Sequence, residues 1–264
     1  MKKLTITALL AGLFVMIVSA QENSAFIGAT GGLNFSKFNY QDQFEDNTTS
    51  ALSGVIGGVS FGIRFNKWSI VSGLQFNQKG SNYETPTGNY DFDLNDDGYQ
   101  DYGFYDMKQR LNYLSIPIML RFQLFGQESG LTLGAGVALN FGLKADISGK
   151  FQMLDFTGDS RQIISEYDIE NIFGPAFLDY GFGRSLDDEY RKMETSFILS
   201  PGFVTPIGEK GKLHFKLNLD IGIEDSYNGR FKDTFNLFGK QFNQSTSFTI
   251  SYEHHFNFEA GLKY

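Results

Sequence analysis

The stretch Leu131-Thr132-Leu133-Gly134-Ala135-Gly136-Val137-Ala138-Leu139-Asn140-Phe141-Gly142-Leu143-Lys144 decides the fold. Its odd positions carry Leu131, Leu133, Ala135, Val137, Leu139, Phe141 and Leu143, while its even positions hold Thr132, Gly134, Gly136, Ala138, Asn140, Gly142 and Lys144. Successive side chains of a strand point to opposite faces, so this segment presents one apolar face and one small or polar face. Lys212 to Glu224 repeats the pattern, with Leu213, Phe215, Leu217, Leu219, Ile221 and Ile223 opposite His214, Lys216, Asn218, Asp220, Gly222 and Glu224.

Eight segments alternate in this way: Phe26–Ser36, Leu52–Phe65, Trp68–Lys79, Gln109–Leu124, Leu131–Lys144, Glu194–Pro206, Leu213–Glu224 and Ser245–Tyr264. Lengths of ten or a little more suit a strand that crosses a bilayer core at a tilt of about 45°. The connections alternate between short and long. Two residues, Asn66 and Lys67, join segments two and three, and about six join four to five (Phe125–Gly130) and six to seven (Ile207–Lys212). The others are Lys37–Ala51 (15 residues), Gly80–Lys108 (29), Ala145–Met193 (49) and Asp225–Gln244 (20). The expected fold is all-β: an eight-stranded antiparallel up-and-down transmembrane β-barrel with long extracellular loops, tight periplasmic turns and both termini in the periplasm.

A soluble barrel or sandwich shows the same alternation with its apolar face inward. Three features favour the membrane. The apolar faces are large and branched, while the opposite faces hold Gly, Ser, Asn and Thr, as a narrow polar interior requires. Aromatics collect near segment ends at Phe35, Phe65, Trp68, Phe76, Phe122, Phe141 and Tyr264, where interfacial girdles would lie. The last segment ends in Phe256, Phe258, Ala260, Leu262 and Tyr264, a terminal pattern like the assembly signal of outer-membrane proteins.

Composition agrees. The 264 residues include 28 Phe, 13 Tyr and 30 Gly but no Cys, and the chain is 41% hydrophobic and 20% charged. Multiple transmembrane helices are excluded, because each would need about 18 consecutive apolar residues. Lys2 and Lys3, an apolar run from Leu4 to Val18, and Val18-Ser19-Ala20 have the order of a secretory signal peptide. The expected organisation is a signal peptide at 1–20 and one barrel domain at 21–264. Without Cys there is neither a lipoprotein cleavage site nor a disulfide.

Leu111-Asn112-Tyr113-Leu114-Ser115-Ile116-Pro117-Ile118-Met119-Leu120-Arg121-Phe122 resembles the fourth strand of the PorT-like outer-membrane β-barrel family, in which a tyrosine is followed shortly by an Ile-Pro pair. Gly28, Gly31 and Gly32 in the first strand and Gly134 and Gly136 in the fifth are similar to that family. The resemblance spans the mature chain and implies a barrel. The family's founding member is implicated in export across the outer membrane, so an accessory role in an export or uptake machine is the alternative it suggests. Proline removes a ladder donor, so a bulge is expected at Pro117. By parity Pro117 lies inside, with Tyr113, Ser115, Met119, Arg121 and Gln123.

Eight strands enclose a space that side chains just fill, which moves function to the loops. The expected interior collects Arg64, Lys79, Arg110, Arg121, Lys144, Lys216 and Lys263 with Asp220, Glu224, Glu253 and Glu259, and these would pair with one another. The sharpest loop motif runs from Asp93 to Asp101. Asp93, Asn95, Asp97, Tyr99 and Asp101 occupy ligand positions of a calcium loop with Gly98 at the turn, similar to the half-loops of dockerins and thrombospondin type 3 repeats. Phe104 stands where an EF-hand places its bidentate acid, so calcium binding is expected to be weak, about 10⁻⁴ to 10⁻³ M. A solvated acidic loop is the competing reading.

The external loops carry a net charge of −12, against −10 for the chain without residues 1–20. Such a surface repels nucleic acid and attracts divalent cations and basic partners. Tyr83, Tyr90, Tyr99, Tyr102 and Tyr105 lie among the acids as candidate contact residues. A lipid-modifying enzyme would need a set such as Ser251, His255 and Glu253, which adjacent strand residues assemble easily by chance. The expectation is therefore a non-enzymatic protein of the cell outer membrane, in contact with its lipid and with a protein partner at the loops.

Overall fold

The computed structural model describes residues 23–41, 48–87, 102–126, 129–157, 160–170, 193–223 and 240–258. Among the described residues nine strands follow one another: β1 (Asn23–Gln41), β2 (Thr48–Phe65), β3 (Trp68–Thr87), β4 (Tyr102–Gln123), β5 (Gly130–Thr157), β6 (Ser160–Glu170), β7 (Met193–Ile207), β8 (Gly211–Gly222) and β9 (Lys240–Phe258). Each neighbouring pair is antiparallel. Eight strands close a barrel in the order β1-β2-β3-β4-β5-β7-β8-β9, sealed where β9 pairs with β1 from Asn23↔Phe258 to Gln41↔Lys240. Closure leaves the barrel itself no free edge.

The alternation read from the sequence sorts the side chains. On β4, Leu114, Ile118 and Leu120 are exposed, whereas Tyr113, Ser115, Pro117, Met119, Arg121 and Gln123 are buried. Thr30, Asn34, Ser60, Asn140, Ser200, Thr249 and Ser251 face inward on other strands, and Ile27, Leu33, Val59, Leu131, Phe215 and Ile250 face out. Such an inverted distribution leaves a continuous apolar exterior, which only hydrocarbon can solvate without cost. Trp68 and Phe122 pack at a tilt at the short-turn end, 4.5 Å between ring centroids, and Phe35 and Phe76 also point outward. Phe65 is buried, so it does not join the girdle, and Tyr264 lies outside the described residues.

The short connections close one end. Asn66 adopts the left-handed conformation (φ 55°), which asparagine tolerates better than most residues, and lets β2 turn into β3 in two residues.

Four expectations are corrected. Pro117 makes no bulge: β3 and β4 keep one register across it, from Ser72↔Ile118 to Gln75↔Ser115, and the ladder opens between these pairs. An interrupted ladder accommodates the missing N–H without inserting a residue. The bulge in β5 lies instead at Leu143, because Tyr113 pairs with Gly142 and Asn112 with Lys144. This turns Lys144 outward, exposed and 2.5 Å from Asp146, and not into the interior. Arg110 is half-buried and out of phase with inward-facing Gln109 and Leu111.

The fourth correction concerns the 49-residue connection. β5 pairs with β7 only as far as Phe141↔Met193, yet it continues to Thr157 and folds back as β6. β3 and β4 lengthen with it, pairing out to Thr87↔Gly103. A four-stranded sheet thus stands beyond the barrel at the long-loop end. In the last segment, β9 is described to Phe258, and residues 259–264 lie outside the described residues.

Candidate functional site: the filled interior

Pairs of side chains reach across the barrel between strands that are not neighbours. Arg121 on β4 donates to both carboxylate oxygens of Glu253 on β9, Nη1 to Oε1 at 2.6 Å and Nη2 to Oε2 at 2.9 Å. Both are buried. This two-point geometry is the strongest form of the Arg–carboxylate bond. His214 Nε2 on β8 lies 2.9 Å from the same Oε2, and His255 Nε2 lies 3.6 Å from it. The Arg121 guanidinium also approaches His214 Nδ1 at 3.4 Å. The face of Phe26 packs against the guanidinium, 5.4 Å to its centroid.

Toward the long-loop end, Lys79 on β3 pairs with Asp220 on β8 at 2.9 Å and lies 5.7 Å from the centre of the Tyr113 ring. The Tyr113 hydroxyl donates to Glu194 on β7 at 2.7 Å. Asn34 Nδ2 donates to Asn77 Oδ1, Ser115 to Asn140, and Asn140 in turn to Ser196. Phe26, Val71, Met119, Ala138 and Ile198, from five strands, form an apolar knot within this polar lining. Glycine makes room for it: a Cβ at Gly62 would stand 2.5 Å from Phe26 Cζ and 2.2 Å from the Ile70 carbonyl oxygen.

Of the interior charges expected from the sequence, Lys79, Arg121, Lys216, Asp220 and Glu253 are buried inside. Arg64 is half-buried near the short turns, donating to Gln123 Oε1 and to the Asn66 carbonyl. Lys263, Glu224 and Glu259 lie outside the described residues. Sequence reading missed the Tyr113–Glu194 bond, although the inward parity of both residues was available.

The catalytic set considered for an enzyme does not assemble as imagined. Ser251 shares a 2.7 Å hydrogen bond with Thr30, and Ser24, not Ser251, lies near His255 Nδ1, at 3.4 Å. Both Glu253 carboxylate oxygens are already engaged by Arg121. The calcium-loop residues Asp93, Asn95, Asp97, Tyr99 and Asp101 lie outside the described residues. Among the described residues, no group of three or more His, Cys, Asp or Glu could hold a metal ion.

On the projecting sheet, Lys150 is bonded to Glu166, and Gln152 donates to Glu166 at 2.7 Å. These contacts hold the Glu166 carboxyl below the usual carboxylate range, and the Glu166 bond holds the Lys150 ammonium above its own.

A closed eight-stranded barrel with an apolar exterior and a polar, cross-braced interior defines an outer-membrane β-barrel protein. The outer membrane protein beta-barrel domain family matches residues 19–228, and the chain belongs to it. Its place is the cell outer membrane. No curated protein matches the chain significantly. Among solved structures it is similar to OprG from Pseudomonas aeruginosa (13% identity, 90% of this chain and 98% of that one covered, TM-score 0.43). It is also similar to the neisserial surface protein A, NspA (11%, 88% and 97%, TM-score 0.40). A third is Ail of Yersinia pestis in complex with the heparin analogue sucrose octasulfate (10%, 88% and 99%, TM-score 0.33).

Proposed function

We propose that this is a non-enzymatic outer-membrane barrel that works at its external face, in a surface-binding or structural role through acidic extracellular loops. One observation carries the reading: Arg121–Glu253, Lys79–Asp220 and Tyr113–Glu194 span the interior, so the barrel is braced and filled. A braced scaffold suits presentation of loops better than passage of solutes. The extension of β3 to β6 past the barrel supports the same reading, because it carries acidic loop sequence on hydrogen-bonded strands.

The loop from Asp93 to Asp101 is proposed as a weak calcium site within this acidic surface. Calorimetric titration of the purified protein tests it. Heat that saturates at millimolar calcium and disappears in Asp97→Ala is the expected result; no heat, or heat unchanged in Asp97→Ala, removes the calcium site. The external role itself is tested by removing residues 88–101 and measuring capture of the partner or assembly of the cell surface. Unchanged surface behaviour would count against it.

A second reading rests on the PorT-like stretch from Tyr113 to Pro117: an accessory subunit of an export or uptake machine. Mild extraction separates the two, since an accessory subunit brings a stoichiometric partner with it and a free-standing surface protein does not.

A further inference from the structure

On β4 and just past its end the outward side chains are apolar from Leu114 to Leu124, a rise of about 25 Å for a tilted strand and the height of a lipid-facing band. Above that band, toward the long-loop end, three rungs run across β3, β4 and β5: Gln78↔Asn112↔Lys144, Gly80↔Arg110↔Asp146 and Asn82↔Lys108↔Ser148. They stand level with the headgroups of the outer leaflet. The charges described on them are three bases and one acid, and that acid, Asp146, is held by Lys144. Lys108 is exposed and Arg110 half-buried, and among the described residues neither has a hydrogen-bond or ion-pair partner. Arg110 Nε is shut off from solvent and still unbonded. An unpaired guanidinium in such a half-dry place gains from an anion beside it.

Neutral donors share the patch. Gln78 donates to Asn112 Oδ1 at 3.0 Å, which leaves the Asn112 amide N–H groups uncommitted, and Ser148 is exposed opposite Lys108. The acids stand farther from the lipid: Glu84 and Asp106 occupy the next rung with Lys150, whose ammonium is taken by Glu166. Glu170 pairs with Ser148 at the flank, and with it counted the three rungs still set three bases against two acids. Further acids lie in 42–47, 88–101 and 171–192, outside the described residues. Segment 88–101 joins the sheet beyond Thr87↔Gly103, seven residues above the Arg110 rung, and 42–47 joins it at Thr48↔Glu84, one rung above Lys108. Segment 171–192 carries four acids against three bases.

We propose that this patch holds a phosphorylated glycolipid of the outer leaflet. Lys108 and Arg110 take its phosphate, the Asn112 amide and Ser148 hydroxyl meet the adjoining sugar, and its acyl chains lie along the outward Phe76, Leu114 and Leu143. The sorting of charge by height suits such a ligand, since bases meet the phosphate plane and acids stay in the water above it. The site lies on the barrel wall, so its failure would leave the reading of the external loops untouched.

The test uses the folded full-length protein in detergent. Native mass spectrometry counts lipid A retained from mixed micelles in EDTA, with dephosphorylated lipid A as the comparison. Lys108→Gln and Arg110→Gln are the variants, and Lys210→Gln, an exposed lysine at the short-turn end, is the control. Heat-modifiable gel mobility verifies each fold; Lys108 is exposed, so its variant decides alone should Arg110→Gln not fold. Loss of one charge-assisted hydrogen bond should weaken retention roughly tenfold. Preferential retention of the phosphorylated form, falling in the folded variants but not in Lys210→Gln, supports the site. Equal retention of both forms, or an equal fall in Lys210→Gln, overturns it. So does retention undiminished in folded Lys108→Gln, the result expected if an acid of 42–47, 88–101 or 171–192 already neutralises that base. Retention seen only without EDTA also overturns it, because a divalent cation then bridges the phosphate to the acids.

Discussion

Replacing Glu253 by Gln probes the interior at its most connected point. The substitution keeps the shape but withdraws the charge that receives both Arg121 bonds and faces His214 and His255. Arg121 and Lys216 then remain buried with no carboxylate beside them. Removing one partner of a buried pair costs about 3–5 kcal/mol, whereas removing both costs much less. Arg121→Met with Glu253→Leu should therefore recover a large part of the loss, with a coupling of about 2 kcal/mol or more in the double-mutant cycle. The exposed Lys144–Asp146 pair is the control, at under about 1 kcal/mol. Reversible urea unfolding in thin lipid vesicles, followed by the fluorescence of Trp68, the single tryptophan, gives the free energies. A Glu253→Gln protein within about 1 kcal/mol of wild type, or a cycle without coupling, would refute the view that this pair braces the barrel.

Gly62→Ala should lower stability by about 1–3 kcal/mol, because its Cβ has no room beside Phe26 and the Ile70 carbonyl; the same unfolding assay checks it. The Lys150–Glu166 contact should loosen with acid. Glu166 is held below the ordinary value of 4.5, so the contact is fully present above that value and fades as pH falls through the lower, folded one. Amide-exchange protection of β6 should then drop before that of β4, and equal loss in both strands would contradict the assignment. In planar bilayers the purified protein should show no large steady conductance, since the interior is filled; a persistent open channel would contradict it.

The barrel was legible because lipid outside and packed polar groups inside impose opposite demands on alternate residues, as between Leu131 and Lys144. The projecting sheet was not. Beyond Phe141 the alternation continues, with Ile147, Phe151 and Met153 opposite Ser148, Lys150 and Gln152, and Tyr167 and Ile169 opposite Glu166, Asp168 and Glu170, but its polar face is charged. A search for a membrane strand, whose inward face holds small and neutral residues, reads such a stretch as loop. Lys144 was misplaced because one extra residue at Leu143 reverses the parity after it, and nothing in the local sequence marks that insertion. The inward residues were legible singly, but the match of Arg121 to Glu253 or Lys79 to Asp220 was not. It depends on the stagger of strands that are far apart in sequence and never hydrogen-bonded to each other.

The arrangement of side chains across the wall is most directly tested by a single-cysteine scan of β4 from Tyr113 to Gln123, in a chain that has no cysteine of its own. Spin labels in liposomes should alternate with period two. Positions 114, 116, 118, 120 and 122 should be open to oxygen dissolved in the lipid, and positions 113, 115, 117, 119, 121 and 123 should be shielded from it. Uniform accessibility to a water-soluble nickel reagent along the outward positions would contradict a lipid-facing barrel.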